Sequence, residues 1–159
     1  MTISISPNTD SLPLTWSLDE LAEGDSCSEV VTFSDELFDM FSQISGDKAA
    51  VHIDDSFSSL MGFGAKIYPG MLTTLPFSRL LGMFLPGQGS VIHSMKFEYP
   101  APVLRTAKTL LNYDVSIQRI LPSLKAVELG LSVINEGRII VSGTAICMMI
   151  KPECLNNSH

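Results

Sequence analysis

Asp47 and His52 are the residues of this chain best placed to do chemistry. They stand five positions apart in the stretch Phe41-Ser42-Gln43-Ile44-Ser45-Gly46-Asp47-Lys48-Ala49-Ala50-Val51-His52-Ile53-Asp54. A carboxyl and an imidazole can divide acid and base work on one water when both lie within hydrogen-bond reach of it and their surroundings split their pKa values. A loop leaving a helix end can bring residues at this spacing onto one cavity. Gly70 is a third candidate. It opens an apolar helical stretch, so its N–H has no partner within the helix and carries partial positive charge. A negatively charged oxygen developing beside it gains about 3 kcal/mol per donor, and glycine lets a ligand approach the backbone closely. Each residue also has a structural reading. Gly46-Asp47 can be a helix stop followed by a polar loop residue, and His52 a core histidine with a satisfied hydrogen bond. The three in combination make a site. Asp54 and Asp55 read as a helix N-cap, and Tyr68 and Pro69 as residues that shape a pocket. His93, on a strand with no partner nearby in sequence, reads as structural.

The elements that must position these residues follow from periodicity and punctuation. A strand is predicted around Cys27 to Thr32. Thr32 or Ser34 then caps a helix through Asp35-Glu36-Leu37-Phe38-Asp39-Met40-Phe41, whose acidic first turn suits the helix dipole. Leu37, Phe38 and Phe41 form its apolar stripe, and Ser45-Gly46-Asp47 ends it. A second short helix is expected from Asp54 or Asp55 through Met61. The segment from Met71 to Phe84 carries one charge, Arg79, so it reads as a helix buried on most sides, kinked at Pro76 and ended by Leu85-Pro86-Gly87. Met71, Met83 and the Met148-Met149 pair are assigned to the core. Everything after Gly89 reads as strand. Leu111, Tyr113, Val115 and Ile117 alternate with polar residues, Val127, Leu129, Leu131 and Val133 alternate with Glu128, Gly130, Ser132 and Ile134, and Asn135-Glu136-Gly137 marks a tight turn. Helices followed by an antiparallel meander make an α+β fold, a sheet wrapped around one buried helix.

The chain of 159 residues is one ordinary domain, with residues 1–15, rich in Ser, Thr, Asn and Pro, read as a loose arm or a late-docking extension and residues 155–159 as frayed. Hydrophobic residues make up 45%, which is enough for a real core. The net charge of -7, with no run of Lys or Arg, argues against nucleic acid and anionic membrane as partners. Cys27, Cys147 and Cys154 fit no zinc or CxxC spacing and read as idle thiols of a reducing cytoplasm. The amino terminus lacks a basic start and an apolar core, so no signal peptide is expected, and no apolar run approaches the roughly 20 residues of a membrane span. No residue cluster implies a metal or redox cofactor.

The stretch around Asp47 closely resembles the hydratase motif of the MaoC-like, R-specific enoyl-thioester hydratases. In that family an aromatic residue precedes Ser-Gly-Asp, and Asn-Pro, an aliphatic residue, His, any residue and Asp follow. Asp47, Val51, His52 and Asp54 match, whereas Ala49 and Ala50 stand where the family has Asn and Pro. Tyr68-Pro69-Gly70-Met71-Leu72 looks like the His-Gly-Met segment opening the family's central helix, with Pro69 in place of His. Leu85-Pro86-Gly87-Gln88-Gly89 resembles the loop after that helix, and Phe97-Glu98-Tyr99-Pro100 the Phe-x-x-Pro that follows. The usual Gly-Asp is replaced by Leu104-Arg105. Asn135-Glu136-Gly137 with Val141-Ser142-Gly143-Thr144-Ala145 resembles the closing hairpin. The similarity runs over about residues 20–150.

The resemblance implies a hot-dog fold, with a sheet of about five strands around a long central helix, forming a homodimer or dimer of dimers with the pocket near the interface. It implies a lyase that hydrates 2-enoyl thioesters or dehydrates (R)-3-hydroxyacyl thioesters, carried on CoA or acyl-carrier protein. Asp47 and His52 would be its acid–base pair, Gly70 its oxyanion N–H, and Tyr68, Pro69 and Met71 its substrate contacts. Lys48, Lys66 and Arg79 or Arg105 are the cations available for CoA phosphates. The missing Asn leaves open a weak or inactive acyl-thioester-binding subunit. A hot-dog thioesterase with a carboxylate on the central helix is disfavoured, because Met71 to Phe84 holds no Asp or Glu.

Overall fold

The computed structural model describes residues 2–8, 10–105 and 109–150. Cys154 and residues 155–159 lie outside them. A sheet of six strands runs in the order β1-β2-β4-β5-β6-β3, one more than the five expected. The strands are β1 (Ser4–Ile5), β2 (Ser26–Phe33), β3 (Ser90–Glu98), β4 (Thr109–Leu121), β5 (Ala126–Asn135) and β6 (Arg138–Met149). All neighbours pair antiparallel except β1, which lies parallel to β2 with Ser4 opposite Ser26. The alternation read in the sequence sets the register: Leu111, Tyr113, Val115 and Ile117 of β4 and Val127, Leu129, Leu131 and Val133 of β5 are all buried. Glu136 and Gly137 adopt positive φ, 49° and 77°, so the β5–β6 hairpin turns as its Asn-Glu-Gly sequence predicts.

The amino-terminal segment is docked in two places. Asp25, fully buried, accepts the Ile3 N–H on Oδ1 (2.7 Å) and the Ala22 N–H on Oδ2 (2.8 Å), which fastens β1 to the start of β2. Leu14 exchanges backbone hydrogen bonds with Met83 and Gln88 (both 2.7 Å), and the Trp16 indole donates to the Phe84 carbonyl (3.0 Å).

Helix α1 (Asp35–Ser45) begins at Ser34, whose hydroxyl accepts the Leu37 N–H, and ends at Gly46 in the left-handed region, φ 74°. It buries Phe38 and lays Leu37 and Phe41 against the core. A single turn, α2 (Ala50–Ile53), leads into α3 (Asp55–Leu60), capped by Asp54. The buried helical path runs as α4 (Gly70–Thr74), α5 (Pro76–Arg79) and a wider turn over Leu80–Phe84. Pro76 has no N–H to continue the ladder, so the regular pattern breaks there. The path regains partners by a tighter bond from Leu75 N–H to Leu72 O (3.3 Å) and a wider one from Leu85 N–H to Leu80 O (2.9 Å). Leu72, Phe77, Leu80, Leu81 and Phe84 fill the sheet's concave face with Tyr113, whose hydroxyl donates to the Thr73 carbonyl at 2.9 Å. Met71 was expected in the core, but it is 64% exposed. It lies on the side of α4 that turns away from the sheet, where a nearly all-apolar sequence cannot mark which side is wet.

Candidate active site

The loop after α1 is built to present Asp47. The Ser42 hydroxyl donates to the Asp47 carbonyl (2.9 Å), and Ser45 Oγ accepts the Asp47 N–H (3.1 Å). Asp47 Oδ1 accepts the Ala49 N–H at 3.1 Å, a side-chain turn that leaves Oδ2 for another partner. That partner is His52: its Nε2 lies 3.7 Å from Asp47 Oδ2. The separation exceeds a direct hydrogen bond.

His52 sits on α2, the turn that sequence reasoning missed, because four residues show no periodicity. Its Nδ1 is 2.9 Å from the Ile67 carbonyl. A carbonyl can only accept, so Nδ1 carries the proton and Nε2 presents its lone pair toward Asp47 when the ring is neutral. The Ile67 N–H in turn donates to the Val51 carbonyl (3.2 Å), closing the ring's support around α2. The His52 side chain is 12% exposed and that of Asp47 36% exposed, so the pair stands at a half-dry opening.

Gly70 lies one step beyond. It lines a cavity of about 240 Å³ with Ile67, Tyr68, Thr73, Tyr99, Ala101, Val103 and their neighbours. Tyr68 belongs to this wall, whereas Pro69, which is buried, and Met71 do not line it. Asp47 and His52 do not line this cavity. Ile67 links the two places: it lines the Gly70 cavity, and its carbonyl holds the His52 ring. A methyl group at Gly70 would meet the Tyr99 ring at 3.0 Å, so the ring would have to shift to admit it.

Two cations suggested for phosphate binding are committed elsewhere. Arg79 pairs with Glu29 and lies over the Phe84 ring, and Arg105 pairs with Asp35. Lys66 is 3.4 Å from Asp55. Burial pushes the Cys27 thiol up to about 11 and the Cys147 thiol up to about 12, so both are inert neutral groups. Among the described residues, no group of three or more His, Cys, Asp or Glu could hold a metal ion, and no helix is long and apolar enough to cross a membrane.

No protein-family model matches the chain. Over 131 residues it is 27% identical to the (R)-specific enoyl-CoA hydratase of Rhodospirillum rubrum, spanning 82% of this chain and 90% of that one. It is 26% identical over 113 residues to the 3-hydroxybutyryl-CoA dehydratase of Methylorubrum extorquens, 71% of each chain. The solved (R)-hydratase from Aeromonas caviae, involved in PHA biosynthesis, matches with a TM-score of 0.75 at 25% identity, over 81% of this chain and 97% of the other. The architecture is the hot-dog fold of these hydratases.

Proposed function

We infer that this chain, a MaoC-like hot-dog protein of the R-specific hydratase type, adds water across the double bond of 2-enoyl thioesters and removes it from (R)-3-hydroxyacyl thioesters, with Asp47 and His52 as its acid–base pair. The observation that carries this reading is the 3.7 Å approach of His52 Nε2 to Asp47 Oδ2, with the far ring nitrogen fixed on the Ile67 carbonyl. Both facing atoms are acceptors. A water that donates one hydrogen to each has its oxygen lone pairs turned outward, toward the β-carbon of a bound substrate. As the water oxygen bonds to that carbon, one of its protons passes to the pair and the double-bond electrons move onto the thioester oxygen. The captured proton then returns to the α-carbon, so the sum is one water added. Dehydration runs the same steps backwards.

The enolate oxygen formed midway needs a donor, and we assign the Gly70 N–H. Support comes from its place as the first residue of α4, free of a partner within the helix, and from its position in an apolar cavity that also holds Ile67, whose carbonyl meets the His52 ring. The acyl group rides on CoA or an acyl-carrier protein, and the reaction asks for no cofactor beyond that carrier. Strand β3 ends the sheet with Val91 and Met95 about half exposed, which suits pairing with β3 of a second copy and a homodimer whose pocket lies near that seam. The buried, unreactive thiols of Cys27 and Cys147 suit a reducing cytoplasm.

The test is absorbance at the enoyl-thioester band with crotonyl-CoA and longer 2-enoyl-CoAs, for the wild type and Asp47→Asn. Turnover that the substitution lowers by 10²-fold or more supports the lyase. Release of free thiol would identify a thioesterase, and tight binding without either signal an acyl-binding subunit.

A further inference from the structure

We propose that Arg105 is the positioning residue for His52, a role that rests on the acid–base reading above. Its side chain is only 7% exposed and makes three kinds of contact at once. Nη1 donates to the His52 carbonyl at 2.6 Å. Nε donates to Asp35 Oδ1 at 3.1 Å, and Nη2 reaches the same oxygen. The guanidinium carbon lies 3.8 Å over the centre of the Phe38 ring. The Arg105 backbone is held as well, its N–H donating to the Lys66 carbonyl at 2.8 Å.

These contacts solve a problem that α2 cannot solve alone. Four residues form one turn, too short to persist by its own hydrogen bonds. The last carbonyls of such a turn have no partner within it. Arg105 takes the carbonyl of His52 itself and ties it to the first turn of α1 through Asp35 and Phe38. The ring is held at its other end by Ile67 O. Backbone and ring are thus fixed from two directions, which sets the line along which Nε2 points at Asp47. A guanidinium suits this post because its planar fork can serve an oxygen on each side while its face rests on an aromatic ring. An apolar side chain would fill the space without the cost of burying a charge, so the residue is explained by what it holds.

The experiment compares Arg105→Met, Arg105→Lys and His52→Asn in the full-length protein, with kcat and KM measured at a temperature where circular dichroism shows each variant folded. Arg105→Met is expected to lower kcat about 10–100-fold with KM changed less than about threefold, the mark of a misaimed catalytic group. Arg105→Lys, which keeps one donor and the charge, is expected to recover part of that loss. It is also the variant to read if Arg105→Met does not fold. The ¹H–¹⁵N signal of the His52 Nδ1–H, identified by its absence in His52→Asn, is expected to shift or broaden in Arg105→Met. Folded Arg105 variants with wild-type kcat, or an unmoved His52 signal, overturn the proposal. Activity that survives His52→Asn would instead overturn the acid–base reading itself, whatever Arg105 does.

Discussion

Replacing His52 by asparagine separates what the imidazole does chemically from what it does structurally. The His52 ring makes two contacts at opposite ends: Nδ1–H to the Ile67 carbonyl at 2.9 Å, and Nε2 toward Asp47 Oδ2 at 3.7 Å. An asparagine amide places its nitrogen near the position of Nδ1, one bond beyond the γ-carbon, and carries nothing at the position of Nε2. His52→Asn therefore keeps the Ile67 bond and deletes the proposed base. Loss of a positioned base costs about 10²–10⁴-fold in rate, which is about 3–5 kcal/mol of barrier. Folding should change by less than about 1 kcal/mol, since the part-buried Ile67 carbonyl keeps its donor. His52→Ala deletes both contacts, and leaving the Ile67 carbonyl without its donor should add a loss of about 1–3 kcal/mol in stability. The assays are initial rates on 2-enoyl-CoA substrates and urea melts followed by circular dichroism. The reasoning is refuted if His52→Asn keeps a rate within tenfold of wild type, or if the asparagine and alanine variants lose equal stability.

Three further outcomes follow from the geometry. Gly70→Ala should leave stability within about 1 kcal/mol, because the Tyr99 ring that its methyl meets at 3.0 Å is 45% exposed and can move aside. The same variant should lower kcat/KM about tenfold or more in steady-state assays, by crowding the cavity at the N–H. Tyr113→Phe removes the donor to the Thr73 carbonyl inside the core, and urea denaturation should show a loss of about 1–3 kcal/mol. Cys27 and Cys147, with thiols raised to about 11 and about 12 by burial, stay protonated at pH 8. Peptide mapping after treatment with a disulfide thiol reagent should find both unmodified in the native protein and both modified in denaturant.

Much of the site was legible because its parts are local. The Asp47–His52 spacing, the Ser34 cap, the Gly46 stop and the Asp54 cap all depend on residues within a few positions of one another. The alternating strands were readable for the same reason, since a half-buried strand writes its two faces directly into its sequence. What stayed hidden is long-range. Arg105 reaches His52 across 53 positions and Asp35 across 70, and in sequence it is a single cation before a strand. The resemblance did mark the spot, because Leu104-Arg105 stands where a Gly-Asp was expected. The parallel partner β1 is two residues long, beneath any pattern. Met71 shows the limit of hydropathy: a helical stretch with few polar residues gives little sign of which side the protein leaves uncovered.

The way Asp25 is held has a practical reach beyond the fold. Its carboxylate has no contact with solvent, and one of its two backbone donors comes from residue 3. Clipping these residues, or displacing them with a bulky tag, would leave a buried carboxyl short of one of its two backbone donors and uncover the first rungs of β2 to other chains. Residues 3–5, in a stretch that composition alone marks as a loose arm, work as a rivet at the sheet margin, and expression designs that trim them should yield sticky protein.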